Sequence, residues 1–226
     1  MYAKYVLALY VDDKDNVVDL CGNTITNSSC SIVNGKFKRA IKFTRGDILK
    51  LAHNADLNLG ENTDFTLCTW IKYAGLGGGY STILCRYGSY GGGFSATAYN
   101  QFKPYTTFGD TSRYSQIFAS TALAVDGLWH HICVTRKNKI ARLFCDGVLQ
   151  GEQDMSTYTF DMSDTTNGVC IGTDGYQPGS WLDGSIENLV VISGTALWDS
   201  DFVPPNHLLS PLSKVYVSNN SAYGVM

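Results

Sequence analysis

The stretch LWHHICVTRKNKIARLFCDGVLQG, Leu128 to Gly151, decides the fold. Two adjacent histidines, a nearby cysteine and a Cys-Asp-Gly invite comparison with a metal site or an activated thiol. The periodicity argues against both. Side chains alternate faces along a strand. Trp129, His131, Cys133 and Thr135 then share one face and Ile132 and Val134 the other, with His130 and His131 on opposite sides. Histidines so placed cannot hold one ion together, and H-E-x-x-H is absent. Cys133 with His131 is the one thiol–imidazole pair suggested by spacing, and a nucleophile would need such a partner; two packed side chains account for it more simply. Lys-Asn-Lys reads as a polar turn and Asp146-Gly147 as a two-residue hairpin turn. The stretch is therefore β-structure, with its histidines supporting a sheet edge and its loops.

The same pattern recurs in both directions. YVLALYV, RAIKFT, DILKLA, FTLCTWIKY, STILCRYG, GFSATAYN, GVCIGT and GSIENLVVIS are short runs rich in β-branched and aromatic residues, bounded by Gly, Asn and Asp. With weaker runs they make about a dozen strands or more, the count of a sandwich. No segment shows sustained helical periodicity; short helical turns are expected at ADLNLG and at TALWDSDF, the latter ended by Pro204-Pro205. Glycine-rich GLGGGY and YGSYGGGF flank the strand around Ile83. The tail LSKVYVSNNSAYGVM is expected to form one more short strand and then fray.

Composition narrows the function classes. Charged residues are 16% of the 226, with a formal net charge of -3. A nucleic-acid binder would show a basic footprint instead. No apolar run reaches the roughly 18 residues of a membrane span. The N-terminal MYAKYVLALYVDDKDN lacks the features of a signal peptide, so the expectation is a complete product folded in a reducing cytoplasm. Seven cysteines cannot all pair. Cys68, Cys85, Cys133, Cys145 and Cys170 sit in apolar runs and read as buried small hydrophobes. Cys21 and Cys30, flanking GNTITNSS, are the one pair suspected of bridging.

The Trp129–Gly151 stretch resembles the signature of laminin-G-like, concanavalin A-like jelly-roll domains, in which a Trp-His-His strand leads to a strand ending in Asp-Gly. GKFKRAIKFTRGDILKLAHNADLNLGENTDFTLCTWIKY resembles the first half of that family, and WLDGSIENLVVISGTALWDSDFVPP its closing half. The resemblance spans roughly residues 5 to 209. It implies an all-β fold of two antiparallel sheets in a jelly-roll sandwich, here expected as a single domain over 1–226, with 210–226 a C-terminal strand and tail. GTALWDSDFVPP most resembles modules of phage structural and tail-associated proteins. The family includes glycan-binding, adhesion and calcium-dependent lectin-like domains and, with added carboxylates, glucanases; fold alone does not choose among them.

The residues weigh against catalysis. The glucanase pattern would carry three acids on one strand, and a retaining pair must stand about 5 Å apart. Glu152 and Asp154 lack the third acid, and Glu187 stands alone. No G-x-S-x-G elbow occurs, and Tyr80 breaks a G-x-G-x-x-G reading of GLGGGY. Calcium needs six to eight oxygens. Asp12, Asp13, Asp15 and Asp19 are weak candidates for a structural calcium, with a solvated polar loop as the default. Sugars stack on aromatic rings, and Tyr adds a hydroxyl. Tyr80, Tyr87, Tyr90, Tyr176 and Trp181, in or beside glycine-rich loops, are the ligand-binding candidates. The same rings would equally serve packing or a subunit contact.

The expectation is a non-enzymatic binding or decoration module without a cofactor beyond that calcium. It would sit on a virion surface or tail and attach to a glycan or cell-surface polysaccharide, to a capsid or tail partner, or to a second copy of itself. The alternatives are a purely structural virion assembly protein and a secreted calcium-dependent lectin-like adhesin.

Overall fold

The computed structural model describes residues 3–60, 62–76, 80–88, 92–99, 103–109, 114–122, 125–158, 168–173, 180–211, 214–218 and 221–225. Its strands are β1 (Lys4–Val11), β2 (Val17–Asp19), β3 (Ile25–Ser28), β4 (Ser31–Asn34), β5 (Arg39–Phe43), β6 (Ile48–Leu51), β7 (Phe65–Leu76), β8 (Tyr80–Gly88) and β9 (Gly92–Tyr99). There follow β10 (Lys103–Gly109), β11 (Tyr114–Phe118), β12 (His130–Lys137), β13 (Ile140–Cys145), β14 (Val148–Asp154), β15 (Val169–Ile171), β16 (Leu182–Ser193), β17 (Lys214–Ser218) and β18 (Ser221–Val225).

Two antiparallel sheets form. The larger runs β14-β13-β12-β7-β16-β1-β2, with β5 also paired to β16 and β4 to β5. The smaller runs β11-β10-β9-β8-β15-β6-β3. The hairpins that opened the argument are present. Asn138 and Lys139 turn with φ of 50° and 68°, and Asp146 and Gly147 with φ of 50° and 81°. Positive φ at both central residues is what the strand twist demands of a two-residue turn. The histidine strand does not lie at a sheet edge, however. β12 lies between β13 and β7, with Cys133 opposite Cys68 and His131 opposite Trp70.

Alternation along β12 sorts its side chains as period 2 requires. Ile132 and Val134 enter the main core with Leu67, Ile71, Leu143 and Val191. Cys133 enters a second cluster with Cys68, Phe144, Val190, Trp198 and Phe202 on the outer face of the larger sheet. Residues 194–211 cover that face. The helical turn expected at TALWDSDF is absent, and amides of this stretch and of Gly194 before it find acceptors elsewhere in the chain, in a strand side chain, a strand end and a hairpin turn. The Gly194 amide donates to the Asp64 carbonyl, Leu197 to the Thr66 hydroxyl and Phe202 to the Gly147 carbonyl. At a bulge in β16, Asn188 (φ 57°) exchanges two hydrogen bonds with the Leu209 backbone and so pins the far end.

The other expected turn forms as a 3-10 helix over Ala55–Leu57, with Asn54 accepting the Asp56 amide. Two buried arginines fix that loop. Arg136 of β12 donates to the carbonyls of Thr63 and Gly60, and Arg86 of β8 reaches His53 and Asn58. Cys21 and Cys30 are both free thiols. They do not meet, because Cys21 packs on the outer cluster and Cys30 on the main core. The tail carries two strands rather than one, β17 and β18, paired as a hairpin.

Candidate functional site

The two outer faces differ. On the larger sheet, Trp198 stacks on Phe202 at 4.0 Å, both rings meet His131 at a steep angle, and Phe202 also meets Phe144. On the smaller sheet, β11 keeps strict alternation: Ser115, Ile117 and Ala119 are buried, whereas Gln116 and Phe118 face solvent. Phe118 is 50% exposed. The Gln116 amide donates to the Thr107 hydroxyl on the neighbouring strand at 3.3 Å. Backbone register continues both rows inward, Phe118 to Tyr105 to Thr97, and Gln116 to Thr107 to Ser95. At the far end Tyr80 stands opposite Tyr99, and Tyr99 opposite Lys103.

This face is held in place from the other sheet. A Cβ on Gly151 of β14 would meet Ile117 at 2.9 Å, so the edges of the two sheets touch there. The Gln150 side-chain oxygen accepts from the Ser120 hydroxyl and from the amide and hydroxyl of Thr121. Exposed ring, amide and hydroxyl on a fixed sheet are the groups a sugar meets best. The ring takes the apolar face of the pyranose and the polar groups take its hydroxyls.

Of the aromatic candidates, Tyr80 is 37% exposed on this sheet. Trp181 is half-buried. Its neighbour Ser180 accepts the Thr82 amide at 3.2 Å, so Trp181 leaves from the same end of β8 as Tyr80. Tyr87 lies on β8 opposite Gly93. Tyr90 and Tyr176 lie outside the described residues. Phe118, Gln116 and Thr107 were not singled out from the sequence, although the alternation of YSQIFAS carries the signal.

The carboxylates are otherwise engaged. Glu187 accepts the backbone amides of Lys36, Phe37 and Lys38 at 2.5, 3.0 and 2.8 Å. Glu152 pairs with Arg142 at 3.1 Å. Asp154 caps the following turn, and the hydrogen bonds from Ser156 hold its carboxyl below the ordinary value. A general acid needs the opposite shift. Cys133 is buried, and burial followed by its neighbour Cys68 pushes its thiol well above the ordinary value, the reverse of activation.

The four aspartates do not converge. Asp12 accepts from the side chain and backbone of Asn16 and from the Lys14 amide, which lowers its carboxyl. Asp15 pairs with Arg39 at 2.6 Å, Asp19 accepts from Ala8 and Asn23, and Asp13 is exposed. Among the described residues no group of three or more His, Cys, Asp or Glu could hold a metal ion. Where β16 changes partner from β5 to β1, a cleft of about 330 Å³ with its open mouth opens between Tyr10, Lys38, Arg39, Glu187 and Leu208.

A sequence profile described as the concanavalin A-like lectin/glucanases superfamily matches residues 44–200, more than two thirds of the chain. The chain belongs to this superfamily. Solved structures agree on the concanavalin A-like fold. The binding domain of Paraclostridial Mosquitocidal Protein 1 superposes with a TM-score of 0.69 at 14% identity, over 85% of this chain and 49% of that one. Domain 4 of AbnA, a GH43 extracellular arabinanase from Geobacillus stearothermophilus, in complex with arabinotriose, gives 0.65 at 17%, over 85% and 93%. The binding domain of botulinum neurotoxin DC in complex with SialylT gives 0.61 at 12%, over 83% and 47%. This concanavalin A-like chain spans about half the length of the toxin binding domains it matches. No curated protein sequence matches it. No helix among the described residues is long and apolar enough to cross a membrane.

Proposed function

We propose that this chain is a non-catalytic glycan-binding module whose ligand lies across the outer face of the smaller sheet. The observation that carries the reading is Phe118, half exposed on β11 beside the Gln116–Thr107 hydrogen bond. The exposed half of that ring offers a surface on which a sugar can stack, and the adjoining amide and hydroxyl complete the contact. Tyr80 and Trp181 extend the platform at its far end, with Tyr87, Tyr90 and Tyr176 as further contacts. The arabinotriose complex of the structurally similar Domain 4 of AbnA supports the ligand class. The closing stretch Gly194–Pro205, which resembles phage structural modules, supports a setting on a virion surface or tail, where such a module would attach the particle to a cell-surface polysaccharide.

The test is a glycan panel including arabinotriose, with wild type, Phe118→Ala and Gln116→Ala. The expected result is binding of one neutral glycan class, weakened at least tenfold by Phe118→Ala. Binding untouched by both substitutions moves the site elsewhere, and no binding at all favours a purely structural role.

A further inference from the structure

The outer face of the larger sheet continues beyond the cover of residues 194–211. Four register positions form a row across three strands and onto β4: Lys72, Ser185, Lys42 and Ser31. Lys42 and Lys72 flank Ser185, two strand spacings or about 10 Å apart. Trp70, two residues from Lys72 on the same face of β7, carries the ammonium of Lys36 4.1 Å from its ring centre. The ammonium of Lys72 lies 5.4 Å from the ring centre of Trp129. Lys36 and Lys42 are exposed, and Lys72 and Trp129 half-buried.

Among the described residues, none of these three lysines forms an ion pair. Two carboxylates of β16, Glu187 and Asp183, lie near the row, and neither pairs with these lysines. Glu187 is taken up by the backbone of residues 36–38. Asp183 lies over Gly75, its oxygen 2.9 Å from where a Cβ would stand. An indole ring holds an ammonium group in place by its quadrupole without supplying a counter-charge. Lys36 and Lys72 are thus positioned but not neutralised.

We propose that this face binds an acidic glycan, a saccharide bearing carboxylate or sulfate groups. Positioned cations take the anionic groups, and the Trp129 edge takes the sugar between them, with buried Ser185 forming the floor of the row. Nucleic acid offers anions and stacking too, but the net charge of -3 gives the molecule no basic field to attract a long polyanion. This face is opposite the platform around Phe118, and the proposal stands or falls without it.

The test is titration calorimetry with oligogalacturonate and with a heparin oligosaccharide, using maltohexaose and a single-stranded DNA oligonucleotide as comparators. Expected is binding of at least one acidic glycan; which of the two binds names the carboxylate or the sulfate as the recognised group. The double variant Lys42→Gln/Lys72→Gln weakens it at least tenfold and Trp129→Ala about fivefold, with melting temperatures unchanged. Lys42→Arg/Lys72→Arg retains it, and Phe118→Ala has no effect. The proposal is overturned if neither acidic glycan binds, if the triple variant adding Lys36→Gln binds within threefold of wild type, or if maltohexaose or the DNA binds as tightly.

Discussion

The carboxylate of Glu187 accepts the Phe37 amide at 3.0 Å, and with the adjoining amides of Lys36 and Lys38 it ties the turn before β5 to the middle of β16. Glu187, on a central strand beside an open cleft, is therefore a structural acceptor. Charge-assisted bonds of this kind contribute about 1.5–3 kcal/mol each and do not add fully. Glu187→Ala is expected to lower unfolding stability by about 3 kcal/mol in urea titration. Glu187→Gln is expected to lose less, since it keeps one accepting oxygen.

What was legible in the sequence was local. His130 and His131 divide between faces, and Asp146-Gly147 turns, because period 2 and positive φ are properties of neighbouring residues. The Phe118 platform was equally local and was passed over for the tyrosines of glycine-rich loops. The segment 194–211 was not legible as an extended cover. Its Leu197 amide finds its acceptor in Thr66, 131 residues away, and a lone Asn188 at a bulge fixes its other end. The burial of Arg86 and Arg136 was hidden for a related reason: much of their bonding is to one distant loop, through backbone carbonyls and the side chains of His53 and Asn58. Likewise, Cys68 faces Cys133 only because β7 and β12 are neighbours.

Phe118 separates binding from stability. A side chain half exposed on an edge strand contributes little to the core, so Phe118→Ala is expected to change unfolding free energy by less than about 1 kcal/mol. Calorimetric melting checks this. A large drop would place the ring in packing and remove the main ground for a sugar platform.

Asp199 gives a pH signature. The hydrogen bond from Lys137 is the chief cause that holds its carboxyl below the ordinary 3.8. A depressed folded pKa contributes stability that is present above the unfolded value and is lost as pH falls through the folded one. Both side chains are well exposed, so the contribution is discounted to about 0.5 kcal/mol. Asp199→Asn should therefore be slightly less stable than wild type at pH 7. The difference should shrink as pH falls below 3.8 toward the depressed folded value, and denaturant titrations at pH 7 and pH 2.5 would show it.

The aspartates of the β1–β2 region predict indifference to calcium. Asp12, Asp15 and Asp19 each serve separate partners, and gathering them round one ion would break the Asp15–Arg39 pair and the Asp19 bonds to Ala8 and Asn23. A bound ion would raise the melting temperature with its concentration. Here millimolar calcium and EDTA are expected to give melting curves within about 1 °C of each other. A concentration-dependent rise would restore the N-terminal acids as a metal site.

Gly147 joins a left-handed backbone to a close backbone contact. It has φ of 81°, and a Cβ there would stand 1.9 Å from the Phe202 carbonyl oxygen and 3.0 Å from Pro204. The Phe202 amide donates to the Gly147 carbonyl at 2.9 Å, so the turn and the covering segment are in contact from both directions. Gly147→Ala must then push residue 202 outward, and Phe202 carries the stack on Trp198. The expected loss is more than about 2 kcal/mol, with a red shift of tryptophan fluorescence as Trp198 leaves the cluster. Gly22 has a similar φ of 88° but nothing within 4 Å of its missing Cβ. Gly22→Ala should therefore bear only the conformational strain, about 1 kcal/mol, with no spectral change. If both variants lose the same amount and neither shifts the fluorescence, the covering segment is not held by this turn.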